Sequence, residues 1–308
     1  MAVTQEQIDQ LLTPIVSKVF DDGRAGMKDK SKRGLFTGSE TMTMLRDVTG
    51  STDGFDVNAF NFDASGRVQQ SAPEKVLQRN WEKKPKYAEL RLGILEVENI
   101  LNANGPIPRE ITSDPRVLGR AYEIFMERVA ADAFNFAFTA SGRTPLGFDS
   151  VNLCSDTHAV GSKTVDNKAV LALTSPNLIT VIDQLDGLQD GKGNVAGFTA
   201  DTIMVPQALH GTAFALVSAL GAGGNSTYEN ARIQNIIVNP YLTDATAWFV
   251  MDIAAAKEHL LFRMHGNAGQ DAEVDSYIDH STRSVAWQMG RSFDFNWDDP
   301  RFVVGSKP

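Results

Sequence analysis

The stretch from Thr199 to Ile253 constrains this chain more than any other part of it. An apolar run, Thr202 to Val205, ends at Pro206. Leu209, Ala213, Leu216 and Leu220 then recur at the spacing of one helical face. The loop GAGGNS follows, then an apolar run from Ile233 to Val238, a turn at Asn239-Pro240, and a further run from Ala247 to Met251. The order expected is strand, helix, loop, strand, turn, strand. GAGGNS lacks the Lys-Ser/Thr of a phosphate loop and joins a helix to a strand, the reverse of what such a loop does. The stretch reads as a packing module with no chemistry of its own.

Composition narrows the class without choosing a function. A chain of 308 residues is long enough for about two domains. Its net charge of −9 argues against general affinity for nucleic acid. The single Cys154 excludes a disulfide within the chain and reads as a small buried hydrophobe. No run approaches the roughly 18 apolar residues of a membrane span, and Thr4 to Asp9 is polar where a secretion signal needs an apolar core. A soluble chain made in the cytoplasm is expected, with no membrane partner. His158, His210, His259, His265 and His280 follow no zinc spacing, and no G-x-S-x-G elbow occurs. No catalytic residue, metal or cofactor is expected.

Residues 4 to 22 read as an amphipathic helix with Thr4 and Gln7 as a capping box and Pro14 as a kink. The basic run after it holds Arg24, Lys28, Lys30, Lys32 and Arg33 against Asp29 alone. Such a run is either a solvated linker or an arm that faces DNA or a neighbour's acidic surface. On the arm reading, deleting residues 1–34 leaves the monomer fold intact. Extended stretches are expected at Thr41–Val48, Phe55–Phe62, Val68–Val76 and Leu90–Val97. A second basic segment carries Lys75, Arg79, Lys83, Lys84, Lys86 and Arg91 with Trp81 and Tyr87, the residue types that anchor protein interfaces. They also suit nucleic acid, but in an acidic protein a protein contact is the simpler account.

The clearest helix begins at Ser113-Asp114-Pro115, with Asp114 as cap and Pro115 in the first turn. Leu118, Tyr122, Phe125, Val129, Ala133 and Phe136 form its stripe, which implies a length of about 36 Å. A further helix, capped by Ser175, spans 175–188, and a polar loop or hairpin follows from Gly187 to Gly197. At the C-terminus Val285, Trp287 and Met289 alternate, as do Phe293, Phe295 and Trp297, with Gly290 between the sets as a bulge or bend. Asp271, Asp275 and Asp279 recur at four-residue spacing, which on a helix is one face. That cluster is a solvated face, an acidic surface for a basic segment of a neighbour, or an oxygen-ligand cation site.

Several of these residues carry a resemblance. Val205-Pro206 at a strand end, the helix after it, and Tyr241-Leu242-Thr243-Asp244 with Ala247-Trp248 resemble the major capsid proteins of tailed bacteriophages, in the Mu-type head-subunit branch of the HK97-like fold. Asp149, Leu153, Ser155 and His158 match in part a "DG-x-x-L-F-S-x-x-H" motif of that branch; Ser150 and Cys154 depart from it. The resemblance implies an α+β fold with an N-terminal arm (1–45), an extended E-loop hairpin (46–95), a peripheral domain with a long spine helix (96–165 and 276–308) and an inserted axial domain (166–275). The closing strand in DPRFVVGSKP would return beside the spine helix.

The function implied is a major capsid protein of the virion, assembled in the bacterial host cytoplasm. Pentamers and hexamers would tile an icosahedral shell around double-stranded DNA, bound without sequence specificity. A portal, and possible scaffold or decoration proteins, would be partners. No cleaved scaffold segment and no covalent cross-link through Lys83 or Lys84 are expected. Inter-subunit candidates are Arg24, Lys28, Lys30, Lys32, Arg33, Lys75, Arg79, Trp81, Lys83, Lys84, Lys86 and Tyr87, with Asp271, Asp275 and Asp279 as an acidic partner surface. The alternatives are an encapsulin-like compartment shell and a metal-dependent enzyme built on the acidic cluster.

Overall fold

The computed structural model describes residues 3–28, 30–42, 46–53, 74–82, 85–102, 108–139, 149–161, 163–222, 233–265 and 272–308. One helical rod starts as α1 (Gln5–Gln7), widens into a π turn over Ile8–Leu12 and continues as α2 (Thr13–Lys28). The capping box is formed: the Gln7 amide donates to Thr4 Oγ1, and the Thr4 amide donates to the Gln7 side chain. The π turn lies just ahead of Pro14, whose ring crowds the carbonyl four residues back. A wider turn relieves that conflict, so the expected kink takes this form.

After α3 (Arg33–Phe36) and β1 (Gly38–Met42), β2 (Arg46–Asp53) and β3 (Glu74–Glu82) pair as a separate two-stranded ribbon. There follow β4 (Pro85–Gly93), α4 (Ile94–Leu101), α5 (Arg109–Thr112), the long α6 (Asp114–Asn135), a small hairpin of β5 (His158–Val160) and β6 (Lys163–Val165), and β7 (Lys168–Ala169). Next come α7 (Ser175–Asp186), β8 (Thr202–Val205), α8 (His210–Ala222), β9 (Asn235–Val238), β10 (Trp248–Met251) and α9 (Ile253–His259). The chain closes with β11 (Leu260–His265), β12 (Glu273–Asp279), β13 (Ser284–Trp297) and β14 (Val303–Ser306).

Two five-stranded sheets result among the described residues. In the first, β13 is central: β12 and β4 flank its first part and β11 its last part, with β1 parallel to β11 beyond. The partners change around Gly290, where the sequence suggested a bend. Its φ is +148°, and a Cβ there would lie 2.1 Å from the Lys86 carbonyl oxygen, so only glycine fits. The alternating Val285, Trp287, Met289, Phe293, Phe295 and Trp297 are all buried.

The second sheet runs β7-β14-β10-β8-β9. Its central strands β8, β10 and β14 are buried along their whole length because both faces are covered. Ile203, Val205, Trp248, Val250 and Val304 share a core with α7, while Met204, Phe249, Met251 and Val303 join the core that contains α6. Phe134 near the end of α6 meets Phe249 edge to face, with ring centroids 5.1 Å apart. The long helix therefore touches both sheets.

Several expectations need correction. The closing strand Val303–Ser306 pairs in the second sheet, between β10 and β7, and meets the long helix through the core that holds Val303 and Phe134. Its run of buried residues suits a strand covered on both faces. Leu90–Val97 is not one strand: β4 ends at Gly93, and Ile94 opens a helix. Ser113 and Thr174, not Asp114 and Ser175, hold the cap positions of α6 and α7. Phe55–Phe62 lies outside the described residues, as do residues 68–73 of the Val68–Val76 stretch and 43–45 of the Thr41–Val48 stretch.

The N-terminal helix packs within its own chain. Ile8, Leu12, Val16 and Phe20 are buried in the core that also holds Tyr122, Met126 and Trp287. Deleting residues 1–34 would strip that core, contrary to the expectation that the monomer fold survives. Two glycines allow this packing. A Cβ at Gly23 would sit 2.2 Å from the Arg116 carbonyl oxygen, and one at Gly119 would sit 2.2 Å from that of Phe20. Gly119→Val is expected to push α2 off α6 and cost about 1–3 kcal/mol, read as a lower denaturant midpoint. An unchanged midpoint would show that the helices do not depend on this approach.

Candidate functional site

The buried seam of α6 runs through Gly119, Tyr122, Glu123, Met126, Glu127, Ala130 and Phe134. It lies one residue round from the stripe read in the sequence, which left out both glutamates and left Phe125 37% exposed. The glutamates belong there because the basic segment folds onto them. Arg24 Nε donates to Glu123 Oε1 at 3.0 Å, and Arg33 Nη1 donates to Glu123 Oε2 at 2.8 Å. Arg24 also reaches Asp21 and stacks over Tyr122. Glu127 accepts from Ser31 Oγ and from the amides of Lys32 and Arg33, capping the start of α3.

Five candidate interface cations are thus divided. Arg24 and Arg33 point inward and fasten the segment to the long helix. Lys28, Lys30 and Lys32 are exposed. The second basic segment spans several elements. Lys75, Arg79 and Trp81 stand on β3, opposite Thr52, Thr49 and Asp47 of β2. Lys83 and Lys84 lie outside the described residues. Lys86 and Tyr87 are exposed on β4, at the rim of a cavity of about 400 Å³ against Phe20, Tyr122 and Phe125.

The acidic cluster does not form a helical face. Asp275 and Asp279 lie on strand β12, because this segment completes the first sheet beside β13, and Asp271 lies outside the described residues. Asp279 closes the turn into β13. Ser281, Thr282 and Arg91 all donate to it and hold its carboxyl well below the usual carboxylate range. The Arg91–Asp279 pair, 2.8 Å long, joins the basic segment to the acidic one inside a single chain. Among the described residues, no group of three or more His, Cys, Asp or Glu side chains is placed to hold a metal ion.

Most of the sequence motifs fasten loops around the second sheet. His158 is fully buried, with Nδ1 2.6 Å from Asp149 Oδ2 and Nε2 3.2 Å from the Leu153 carbonyl oxygen. Asp156, two residues before His158, is exposed. Asn167, which sequence reasoning missed, is the centre of the knot. Its Oδ1 accepts from the Ser155 amide, and its Nδ2 faces the carbonyl oxygens of Leu153, Pro300 and Val303 at 2.8–3.1 Å. Asp244 caps its own turn through the Thr246 and Ala247 amides and pairs with Lys307 at 2.8 Å. The hydrogen bond from Lys307 leads the effects that keep its carboxyl well below the ordinary range. Thr243 donates to Asn135 at the end of α6, and Trp248 Nε1 donates to the Leu171 carbonyl. Burial pushes the Cys154 thiol up, away from reactivity. These groups hold loops to strands.

A two-sheet α+β body spanned by one long helix, with a separate ribbon, thus uses its polar motifs to fasten loops, helices and strands to one another. The sequence profile of a family described as phage capsid protein matches residues 97–306, and the chain belongs to that family. Solved structures agree on the fold. The capsid of a native GTA particle superposes with a TM-score of 0.55 at 10% identity, over 90% of this chain and 90% of that one. The capsid of cyanophage P-SCSP1u gives 0.53 at 9% identity, over 90% and 88%. A virus-like particle from Pyrococcus furiosus gives 0.51 at 10%, over 97% and 100%. No curated protein matches the chain. The fold is the α+β HK97-like capsid fold, and the protein is a phage major capsid protein, a structural component of the virion shell and not an enzyme.

Proposed function

We propose that copies of this chain form the pentamers and hexamers of a closed icosahedral shell around double-stranded DNA, in the Mu-type branch of the fold. The β2–β3 ribbon carries this reading. A two-stranded ribbon outside both sheets is marginal alone and gains stability by lying on another surface, here a neighbouring subunit. On this reading the ribbon is the E-loop, α6 is the spine, the first sheet belongs to the peripheral part and the second sheet with α7 and α8 to the axial part. Exposed Lys28, Lys30, Lys32 and Lys86, with the cations of β3, would meet acidic faces of neighbours. Residues 24–91 hold 13 basic and 9 acidic side chains in a chain of net charge −9. A portal completes the particle, with scaffold or decoration proteins as further candidate partners.

The test is expression of the chain, size-exclusion chromatography with light scattering, and negative-stain imaging. Rings, tubes or closed particles that lose mass as salt is raised are expected. A monomer that persists when the chain is co-expressed with its phage's portal would overturn the proposal. Packaged nucleic acid would support a virion, and a protein cargo without nucleic acid would point to a compartment shell.

A further inference from the structure

Two segments cross side by side between the sheets. α9 carries the chain from β10 to β11, and residues 298–302 carry it from β13 to β14. Backbone hydrogen bonds tie the crossings at both ends: Asp252 N donates to Phe302 O at 3.0 Å, and Asp298 N donates to His259 O at 3.2 Å. At one of those ends His259 Nδ1 lies 2.9 Å from Asp298 Oδ1, with both side chains largely buried. Asp299 is buried next to them and paired with Arg301 through Nε and Nη2. The Phe198 ring touches both groups, edge to face with His259 and beneath the Arg301 guanidinium. The charged groups around the imidazole are therefore Asp298, Asp299 and, through Asp299, Arg301 from the other crossing, with Lys257 and Glu258 on α9 itself.

We propose that the His259–Asp298 pair is a proton-operated clasp on this double crossover, which holds the two sheets in a fixed relation while the imidazole is charged and loosens it when the proton leaves. A charged imidazole gives Asp298 a charge-assisted hydrogen bond and offsets Asp299; a neutral one leaves two carboxylates with less compensation. Burial alone would lower the pKa of His259, but the Asp298 hydrogen bond and the charges of Asp299, Asp298 and Glu258 outweigh it, so the net shift is upward. The sign follows. A raised folded pKa means that the clasp contributes fully below the ordinary histidine value of about 6.5, and its contribution is lost as pH rises through the folded value.

The test is amide hydrogen exchange on the full chain from about pH 5 to 9, corrected for intrinsic rates. It reads amides within one subunit, so its failure would leave the shell geometry proposed above untouched. Protection at residues 254–260 and 298–302 is expected to fall several-fold as pH rises, while the β8 amides hold theirs. His259→Asn keeps a neutral donor near Nδ1; it should start at the wild-type high-pH level and show no such fall, and Asp298→Asn should flatten the profile too. Uniform protection in the wild type, or an undiminished pH response in His259→Asn, would overturn the clasp. Should His259→Asn fail to fold, the wild type against Asp298→Asn decides by the same criterion.

Discussion

Asn167→Ala is expected to destabilise the subunit by about 4 kcal/mol, because each buried polar group left without a partner costs about 1–3 kcal/mol and the losses overlap. The side chain is fully buried and bridges three parts of the chain, at 153–155, at its own β7 approach and at 300–303. Its removal strands one amide and weakens the anchoring of three carbonyls, one on the crossing into β14 and one at the start of that strand. The measurement is urea unfolding of unassembled subunit, followed by tryptophan fluorescence. Asn167→Asp separates shape from bonding. It preserves volume and the acceptor to Ser155, but turns the donor toward Leu153, Pro300 and Val303 into a second acceptor. Aspartate should therefore do at least as much damage as alanine. A mild aspartate variant would mean that volume, not hydrogen bonding, is what the knot needs.

Removing the carboxylate at Glu123 is expected to cost about 3 kcal/mol, the usual result when one partner of a buried ion pair is deleted and the other charge stays behind. Arg24 and Arg33 share that carboxylate, with side chains only 12% and 13% exposed. Their bonds hold α2 and the start of α3 to α6. Glu123→Ala should lower the unfolding midpoint and expose the 24–36 amides to exchange. The combined change Glu123→Leu, Arg24→Met and Arg33→Met should recover most of the loss, since an apolar replacement of a whole buried network is often neutral. If the triple variant is as unstable as the single one, the network contributes specific bonds that packing does not replace. Because the group is buried, added salt should change the single-variant cost little.

Much of the architecture was legible in local pattern. Thr202–Val205 is a strand at the residues expected, and the helix after Pro206 and the strands near Ile237 and Phe249 are in place. Asp190 closes the predicted loop by accepting from the Lys192 and Asn194 amides. These features depend on neighbours a few residues apart, where hydrophobic period and turn chemistry act directly. The same pattern misled where a segment's fate depended on a distant partner. The aspartates at 275 and 279 have helical spacing, yet four residues is also an even number, and a strand puts them on one face equally well. Only pairing with β13 decides between the two.

The sequence by itself determined that this chain builds an α+β body from a long helix, apolar strands and a Gly-broken C-terminal strand, and its short motifs already resembled a phage capsid protein. Tertiary structure alone decided the direction of its charges. Arg24 and Arg33 look like Lys28 and Lys32 in the sequence, yet two of the four turn inward because Glu123 waits on a helix 99 and 90 residues away. It also decided that Val303–Ser306 lies in the second sheet, that His158 and Asn167 both face the Leu153 carbonyl, and that His259 meets Asp298. Such choices are made by ion pairs, hydrogen bonds and close packing between residues far apart in the chain, and no local periodicity records them.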